Sequence, residues 1–180
     1  MSTSPLSDQL PGPLSDASLP KKSTLEVSAQ HDSSPDSLAQ NISSHAAPSA
    51  SVANSCPCQS GQSYEHCCQP YHQHKAVPKT AEQLMRSRYC AYVLGDIAYL
   101  VHTTLPIQQA RLNKQAMRQW SQSTNWQGLR VIKHKPNIGA NQAKVIFEAY
   151  YRDEQGLQTH YEESLFIKIQ GRWYFKDPSL

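Results

Sequence analysis

Past Trp126 the apolar residues stop recurring every three or four positions and begin to alternate, and few folds admit that change of period. Upstream, Thr80 opens the run TAEQLMRSRYCAYVLGD, with Thr80 set to cap a helix and Gln83 in capping-box position. Met85, Tyr89, Tyr92 and Val93 form its apolar stripe, with Leu84, Arg88, Ala91 and Gly95 along a second one. Gly95-Asp96 ends that helix, and Ile97 to Thr103 predicts a shorter one before Pro106. Residues 107–121 carry Leu112, Ala116 and Trp120 at four-residue spacing, which predicts a third. Downstream, Leu129, Val131 and Lys133 alternate with Arg130, Ile132 and His134, while Val145, Phe147, Ala149 and Tyr151 share a face. Turn residues at 137–141, 153–156 and Gln170-Gly171 set off two more strands, about 159–169 and 172–176. Helices followed by a four-stranded antiparallel meander is an α+β order, with the sheet curled round the helices to leave a cone-shaped pocket.

The first 54 residues do not join this pattern. They hold fourteen Ser and six Pro and no Cys, Trp, Tyr or Phe. Such a tail buries too little apolar surface to offset the entropy of ordering it and is expected to be disordered. It carries a net charge of −3 where the whole chain has +3, so residues 55–180 carry +6. That is mildly basic and lacks clustered Arg, which argues against a dedicated nucleic-acid binder. With no basic start ahead of an apolar run, and no apolar stretch of ~18 residues, neither a secretory signal nor a membrane span is expected. A cytoplasmic location follows by default.

Four of the five cysteines fall within thirteen residues, CPCQSGQSYEHCC, from Cys56 to Cys68. In a reducing compartment clustered thiols hold metal more often than they form disulfides. Structural zinc takes four thiolate or imidazole ligands at tetrahedral corners. Cys56 and Cys58 supply two from one tight turn, and Cys67 and Cys68 the others if the chain reverses at Ser60–Ser63, where Gly61 can take φ > 0. Adjacent Cys67 and Cys68 point their sulfurs apart, so both reach one metal only with local distortion. Disulfide pairing and reactive redox thiols are the competing readings, and strain counts against bridges within either close pair. His66, His72 and His74 are alternative ligands should one cysteine not serve. Cys90, alone on the long helix, reads as a small buried residue.

The string resembles the SEC-C motif, a zinc module of the form C-x-C-x-S-G, a spacer, then C-C or C-H. Cys56, Cys58, Ser60, Gly61, Tyr64, Cys67 and Cys68 fall on the pattern, and Gln59 stands where the motif usually has Gly. With LMRSRYCAYVLGD, AYL, W-x-G-L, E-x-S-x-F and R-W-Y further on, the chain resembles the YchJ family from about Cys56 to Asp177. That resemblance implies one structural zinc on a small knuckle at residues 55–75. It also implies a domain at 78–180 like nuclear transport factor two, the cystatin-like cone. Three departures stand out: no second SEC-C motif follows Asp177, Leu105 replaces a histidine of the family's T-x-H-P string, and the Ser-rich tail precedes the usual start.

Cones of this kind serve enzymes and binding proteins alike. Pocket-lining candidates are Arg86, Arg88, Tyr89 and Tyr92 on the first helix, Glu162 and Ser164 on the third strand, and Trp173. Glu162, Ser164 and Phe166 share a face; if it points inward, burial raises the Glu162 pKa unless an Arg pairs with it. An Arg88–Glu162 clamp is favoured over a general acid or base, and no catalytic residue is assigned. The register stays open, because Tyr161, Leu165, Ile167 and Ile169 make the other face more apolar. His102 and His160 read as surface or satisfied core residues. The expected function is therefore a non-enzymatic, zinc-stabilised binding protein. Its SEC-C motif would dock on a protein or ribosomal RNA through Tyr64, Tyr71, Lys75 and Lys79, as SEC-C resemblance implies, and its cone would hold a ligand. The alternative is a hydrolase- or isomerase-like small-molecule enzyme using the cone.

Overall fold

Thr80 caps the long helix as its sequence requires: its hydroxyl accepts the Gln83 N–H, and the Gln83 side chain in turn accepts the N–H of Lys79. These details come from a computed structural model that describes residues 55–180; the tail expected to be disordered, residues 1–54, lies outside them. A short turn of helix, α1 (Gln69–His72), belongs to the cysteine-rich knuckle. The capped helix is α2 (Ala81–Leu94), closed by Gly95 in the left-handed conformation at φ 75°. Asp96 then caps α3 (Ile97–His102) by accepting the Tyr99 N–H.

The single third helix expected over residues 107–121 is two. A four-residue α4 (Pro106–Gln109) stops, and α5 (Lys114–Ser123) restarts after a break that contains Leu112. The cause is local: the Asn113 side chain accepts the Ala116 N–H, a cap that starts a helix where the spacing alone continues one. Met117 and Ser121 become the buried residues of α5.

Four strands follow, β1 (Asn125–Gly139), β2 (Gln142–Asp153), β3 (Gly156–Ile169) and β4 (Arg172–Lys176). They pair antiparallel in sequence order, and the sheet does not close. Register shifts along β1 at Trp126/Gly128 and Val131/Lys133 bend it over the helices. The register of β3 is settled by its partner. Phe147 lies opposite Glu162, and Val145 opposite Ser164, so the buried alternation of β2 pulls Glu162, Ser164 and Phe166 inward. Tyr161 and Ile169 are left on the outer face despite their apolar character.

Against this inner face lies α2, buried on nearly every side: Leu84, Cys90 and Ala91 are 0 % exposed, and Arg88 only 7 %. It is the central element of the fold, because the sheet, the other helices and the knuckle all use it. Among the described residues no helix is long and apolar enough to cross a membrane.

Candidate metal centre

The knuckle starts as a tight reversal. The Cys56 N–H donates to the Gln62 carbonyl, the Gln59 N–H to the Cys56 carbonyl, and Ser55 bridges Ser63. Both Gln59 (φ 55°) and Gly61 (φ 83°) are left-handed, so the position where the motif usually has Gly does carry a conformation that Gly adopts most cheaply. Gln59 offsets that strain with its side chain. Its amide donates to the Gln127 carbonyl and accepts the Leu129 N–H, tying the knuckle to β1. Gly128 makes the room, since a Cβ there would sit 2.2 Å from the Gln59 amide nitrogen.

The returning chain carries Cys67 and Cys68 into α1. The sulfurs of Cys56, Cys58 and Cys68 meet that of Cys90 on α2, all four lying within 4.8 Å of one another and all four residues buried. Cys56 Sγ and Cys90 Sγ are 3.4 Å apart. Cys67 is not in that group: half-buried at the rim, its sulfur lies 3.1 Å from Ser60 Oγ, 3.6 Å from Cys58 Sγ and 3.8 Å from Cys68 Sγ. The alternative ligands are engaged elsewhere, His66 with Ser63, His72 with Tyr64 and Ser87, and His74 edge-on to His102. None of the five cysteines is joined in a disulfide.

Four sulfurs this close cannot all ionise unaided. Hydrogen bonds from Cys56 and then Cys68 hold the Cys58 thiol far below its usual range, while its neighbours, Cys56 first, push Cys68 and Cys90 up. A dication held by these sulfurs would lower all four thiol pKa values together, because it stabilises every thiolate it touches. The arrangement is consistent with a thiolate-type metal site, and its burial leaves no solvent-facing corner.

Side chains lock the knuckle to the cone around it. Arg86, expected at the cone lining, instead donates to the Cys58 carbonyl at 3.0 Å and pairs with Glu82 at 2.9 Å, because its stem leaves α2 on the knuckle side. His72 Nε2 lies 2.9 Å from the Ser87 carbonyl, so it must carry the proton, and Nδ1 accepts the Tyr64 hydroxyl at 2.8 Å. Burial keeps the His72 imidazole below its ordinary 6.5, with the Ser87 carbonyl only partly opposing it. An unfolded chain takes up this proton at about pH 6.5 while native His72 refuses it until lower pH, so this group removes stability as pH falls below about 6.5. The ring signal of His72 should therefore titrate below a free histidine's in an NMR pH series, and Tyr64→Phe should move it.

The cone holds the remaining candidates. Arg88, Tyr89, Tyr92, Glu162 and Ser164 line a cleft of about 430 Å³, walled also by Trp120 and Trp126. The expected Arg88–Glu162 clamp does not form. Arg88 donates to the Leu100 carbonyl and the Thr103 hydroxyl, each at 2.7 Å, and lies over the Phe175 ring. Glu162 accepts instead from Ser164, and His160 Nε2 lies 3.1 Å from its other oxygen. Trp173 sits away from this cleft. Its indole donates to the Lys79 carbonyl, and its ring lines a groove of about 510 Å³ between knuckle and cone with Tyr71, His74, His102 and Arg172.

Cys90 is the residue that sequence reasoning missed. Its distance of more than twenty positions from the motif hid it; a buried thiol on a helix following a cysteine knuckle was the one available signal.

Two family models match the chain in succession: the SEC-C motif over residues 54–70, and the middle NTF2-like domain of YchJ over residues 80–178. A UPF0225 protein of Actinobacillus succinogenes is 51% identical over 125 residues, 69% of this chain and 81% of that protein. Another, from Haemophilus influenzae, is 46% identical over 132 residues, 73% of this chain and 82% of that one. Among solved structures, a SEC-C motif containing protein from Psychrobacter arcticus matches with a TM-score of 0.66 at 40% identity, covering 69% of this chain and 81% of that chain. A second SEC-C motif containing protein, from Rhodopseudomonas palustris, gives 0.62 at 36% identity, covering 67% and 94%. Knuckle, helices and open sheet thus stand in the order that the two models share with these relatives, and the chain belongs to the YchJ family, a SEC-C motif joined to an NTF2-like domain.

Proposed function

We propose that this chain is a zinc-bearing binding protein of the cytoplasm, in which the metal is structural and the groove beside the knuckle receives an acidic segment of a partner protein. The burial of all four sulfurs carries the reading: a catalytic zinc keeps one position open to water, and this cluster offers none. The donor set suits zinc. Bonds of about 2.3 Å place tetrahedral sulfurs about 3.8 Å apart, and the four sulfurs here already lie within 4.8 Å of one another.

The groove supplies the chemistry for a partner. Tyr71, Trp173 and Tyr174 give it apolar area, while its ionisable walls are His74, His102 and Arg172, with no carboxylate among them. Lys75 and Lys79 are exposed beside it. Of the contact patch expected from sequence, Tyr71 lines the groove, whereas Tyr64 packs on the core and holds His72. The test is affinity capture from the protein's own cells with wild type, the Trp173→Ala, Arg172→Glu double variant, and the Cys67→Ser, Cys68→Ser double variant. A protein partner lost with the groove variant, weakened by salt and indifferent to ribonuclease supports the reading. Capture that ribonuclease abolishes assigns the surface to ribosomal RNA, and full retention by both variants sinks it.

A second reading rests on the cone. Glu162, hydrogen-bonded by Ser164 and near His160, faces a cleft in which the buried Trp126 indole nitrogen has no partner. A small molecule offering an acceptor to that indole and a donor to Glu162 would complete both, and Glu162 would then be the group that moves a proton. A thermal-shift screen of small metabolites tests it: stabilisation by a compound in wild type but not in Glu162→Gln supports a ligand there. If the same compounds stabilise both proteins equally, the cleft does not use its carboxylate.

A further inference from the structure

We propose that Cys90, and not Cys67, is the fourth metal ligand, so that the metal fastens the cysteine knuckle to the central helix of the cone and leaves Cys67 as a free thiol at the rim. The proposal rests on reading the cluster as a metal site.

Three observations converge on it. Cys56, Cys58, Cys68 and Cys90 form the set in which every sulfur is within 4.8 Å of every other, and Cys67 does not join it. Burial divides the same way: Cys56, Cys58, Cys68 and Cys90 are 3 %, 0 %, 1 % and 0 % exposed, whereas Cys67 is half-buried. Finally, the chain around Cys67 gives its sulfur another partner, the Ser60 hydroxyl at 3.1 Å, on the solvent side of the turn. Neighbouring residues on a helix start cannot aim two sulfurs at one point without distortion, and only one does so here: Cys68 at the head of α1 joins the buried group, while Cys67 Sγ stays at its rim, 3.6 Å from Cys58 Sγ and 3.8 Å from Cys68 Sγ.

The consequence is a change in what the metal does. With all four ligands from residues 56–68, it would close a self-contained knuckle that could dock and leave as a unit. With Cys90 in the set, it closes a loop across residues 68–90 and becomes a bond between two domains. The contacts around it agree with such a bond. Arg86 reaches the Cys58 carbonyl, His72 reaches the Ser87 carbonyl, and both partners on α2 lie within one turn of Cys90. The same helix places Met85, Arg88, Tyr89 and Tyr92 in the cone cleft, so metal loading and cleft geometry share one rigid element.

The experiment uses the full chain loaded with zinc or cobalt(II). Native mass spectrometry gives metal stoichiometry, the intensity of thiolate-to-cobalt charge transfer gives the number of sulfur ligands, and iodoacetamide labelling with peptide mapping gives the free thiol. In wild type, one metal and four sulfur ligands are expected, with Cys67 alkylated while the metal is bound. Cys67→Ser should keep the stoichiometry and the four-sulfur spectrum; Cys90→Ser should lose a quarter of the charge-transfer intensity or bind metal at least 100-fold more weakly. A loaded wild type whose Cys67 is protected until the metal is stripped overturns the proposal, as does loss of a sulfur ligand in Cys67→Ser; neither result depends on whether Cys90→Ser folds. Wild type that binds no metal refutes the metal reading itself, and is distinguished from these because there metal binds and only the ligand differs.

Discussion

Stripping the metal from the purified protein is expected to lower its thermal midpoint by about 10 °C or more and to open residues 55–75 to proteolysis. Metal binding by thiolate knuckles is worth on the order of 10 kcal/mol in isolated zinc peptides, comparable to the whole stability of a single domain. Not all of that is lost here. The knuckle also packs Tyr64 and Tyr71 on the core and holds the Arg86, Gln59 and His72 contacts, so it is not unfolded outright by chelation. What remains after removal is a set of closely packed buried sulfurs without the cation that joined them, and α2 loses its fastening to them. If about 3 kcal/mol is lost, a domain of this size gives up roughly 3–5 °C for each. The cone should still unfold cooperatively, because Leu84, Leu100, Val145 and Phe166 are fully buried in it and none of them is a metal ligand. Calorimetry with and without a strong chelator, followed by zinc add-back, measures both effects. An unchanged midpoint would mean that no metal contributes to the fold.

Much of this architecture is legible in the residues. The Thr80 cap, the Gly95-Asp96 break and the change to alternation past Trp126 each have a local physical cause, and each appears where that cause operates. The break inside the third helix was hidden because four-residue apolar spacing runs through it, while the Asn113 cap that interrupts it is a single side-chain hydrogen bond. The inward face of β3 was hidden for a different reason. Read alone, β3 has its more apolar residues on the wrong side; only pairing with β2, where Ala143, Val145, Phe147 and Ala149 share the buried face, turns Glu162 and Ser164 inward.

The site divides along the same line. Three of the four clustered sulfurs lie within thirteen residues, and a turn chemistry that short announces itself. Cys90 comes from another element, and its role depends on which face of α2 meets the knuckle, a tertiary fact at which a lone helical thiol only hints. Arg86 and Arg88 show how fine that distinction is. They are two positions apart on one helix, yet the first reaches the Cys58 carbonyl and the second the floor of the cone. Both were candidates for the same wall.

Arg88→Ala is expected to cost about 3–5 kcal/mol, a magnitude usual for emptying a large buried site. A guanidinium that is 7 % exposed ordinarily finds a carboxylate, and among the described residues none lies at ion-pair distance from Arg88. Neutral groups take that role. One guanidinium nitrogen donates to the Leu100 carbonyl and to the hydroxyls of Thr103 and Thr104, and the Phe175 ring lies 4.4 Å below the charge. Hydrogen bonds to a charged donor contribute roughly 1.5–3 kcal/mol each before desolvation is counted, and a desolvated cation–π contact about 2. Burial opposes them, pressing the Arg88 pKa below its ordinary value. The balance matters because these partners meet where α3 ends on β4: the Phe175 N–H donates to the Thr103 carbonyl, and the Leu105 N–H to that of Phe175. Removing the guanidinium therefore loosens α2 from α3 and from the sheet together. Urea unfolding of Arg88→Ala and Arg88→Met separates the terms, since Met fills the volume without the charge. Most of the loss should persist in Arg88→Met if the hydrogen bonds carry it. Recovery to within about 1 kcal/mol of wild type would show instead that the buried charge is tolerated rather than stabilising, as happens when apolar residues replace buried ion pairs. Combining Arg88→Met with Phe175→Leu then isolates the ring contact, because side chains in direct contact are non-additive where distant ones are not.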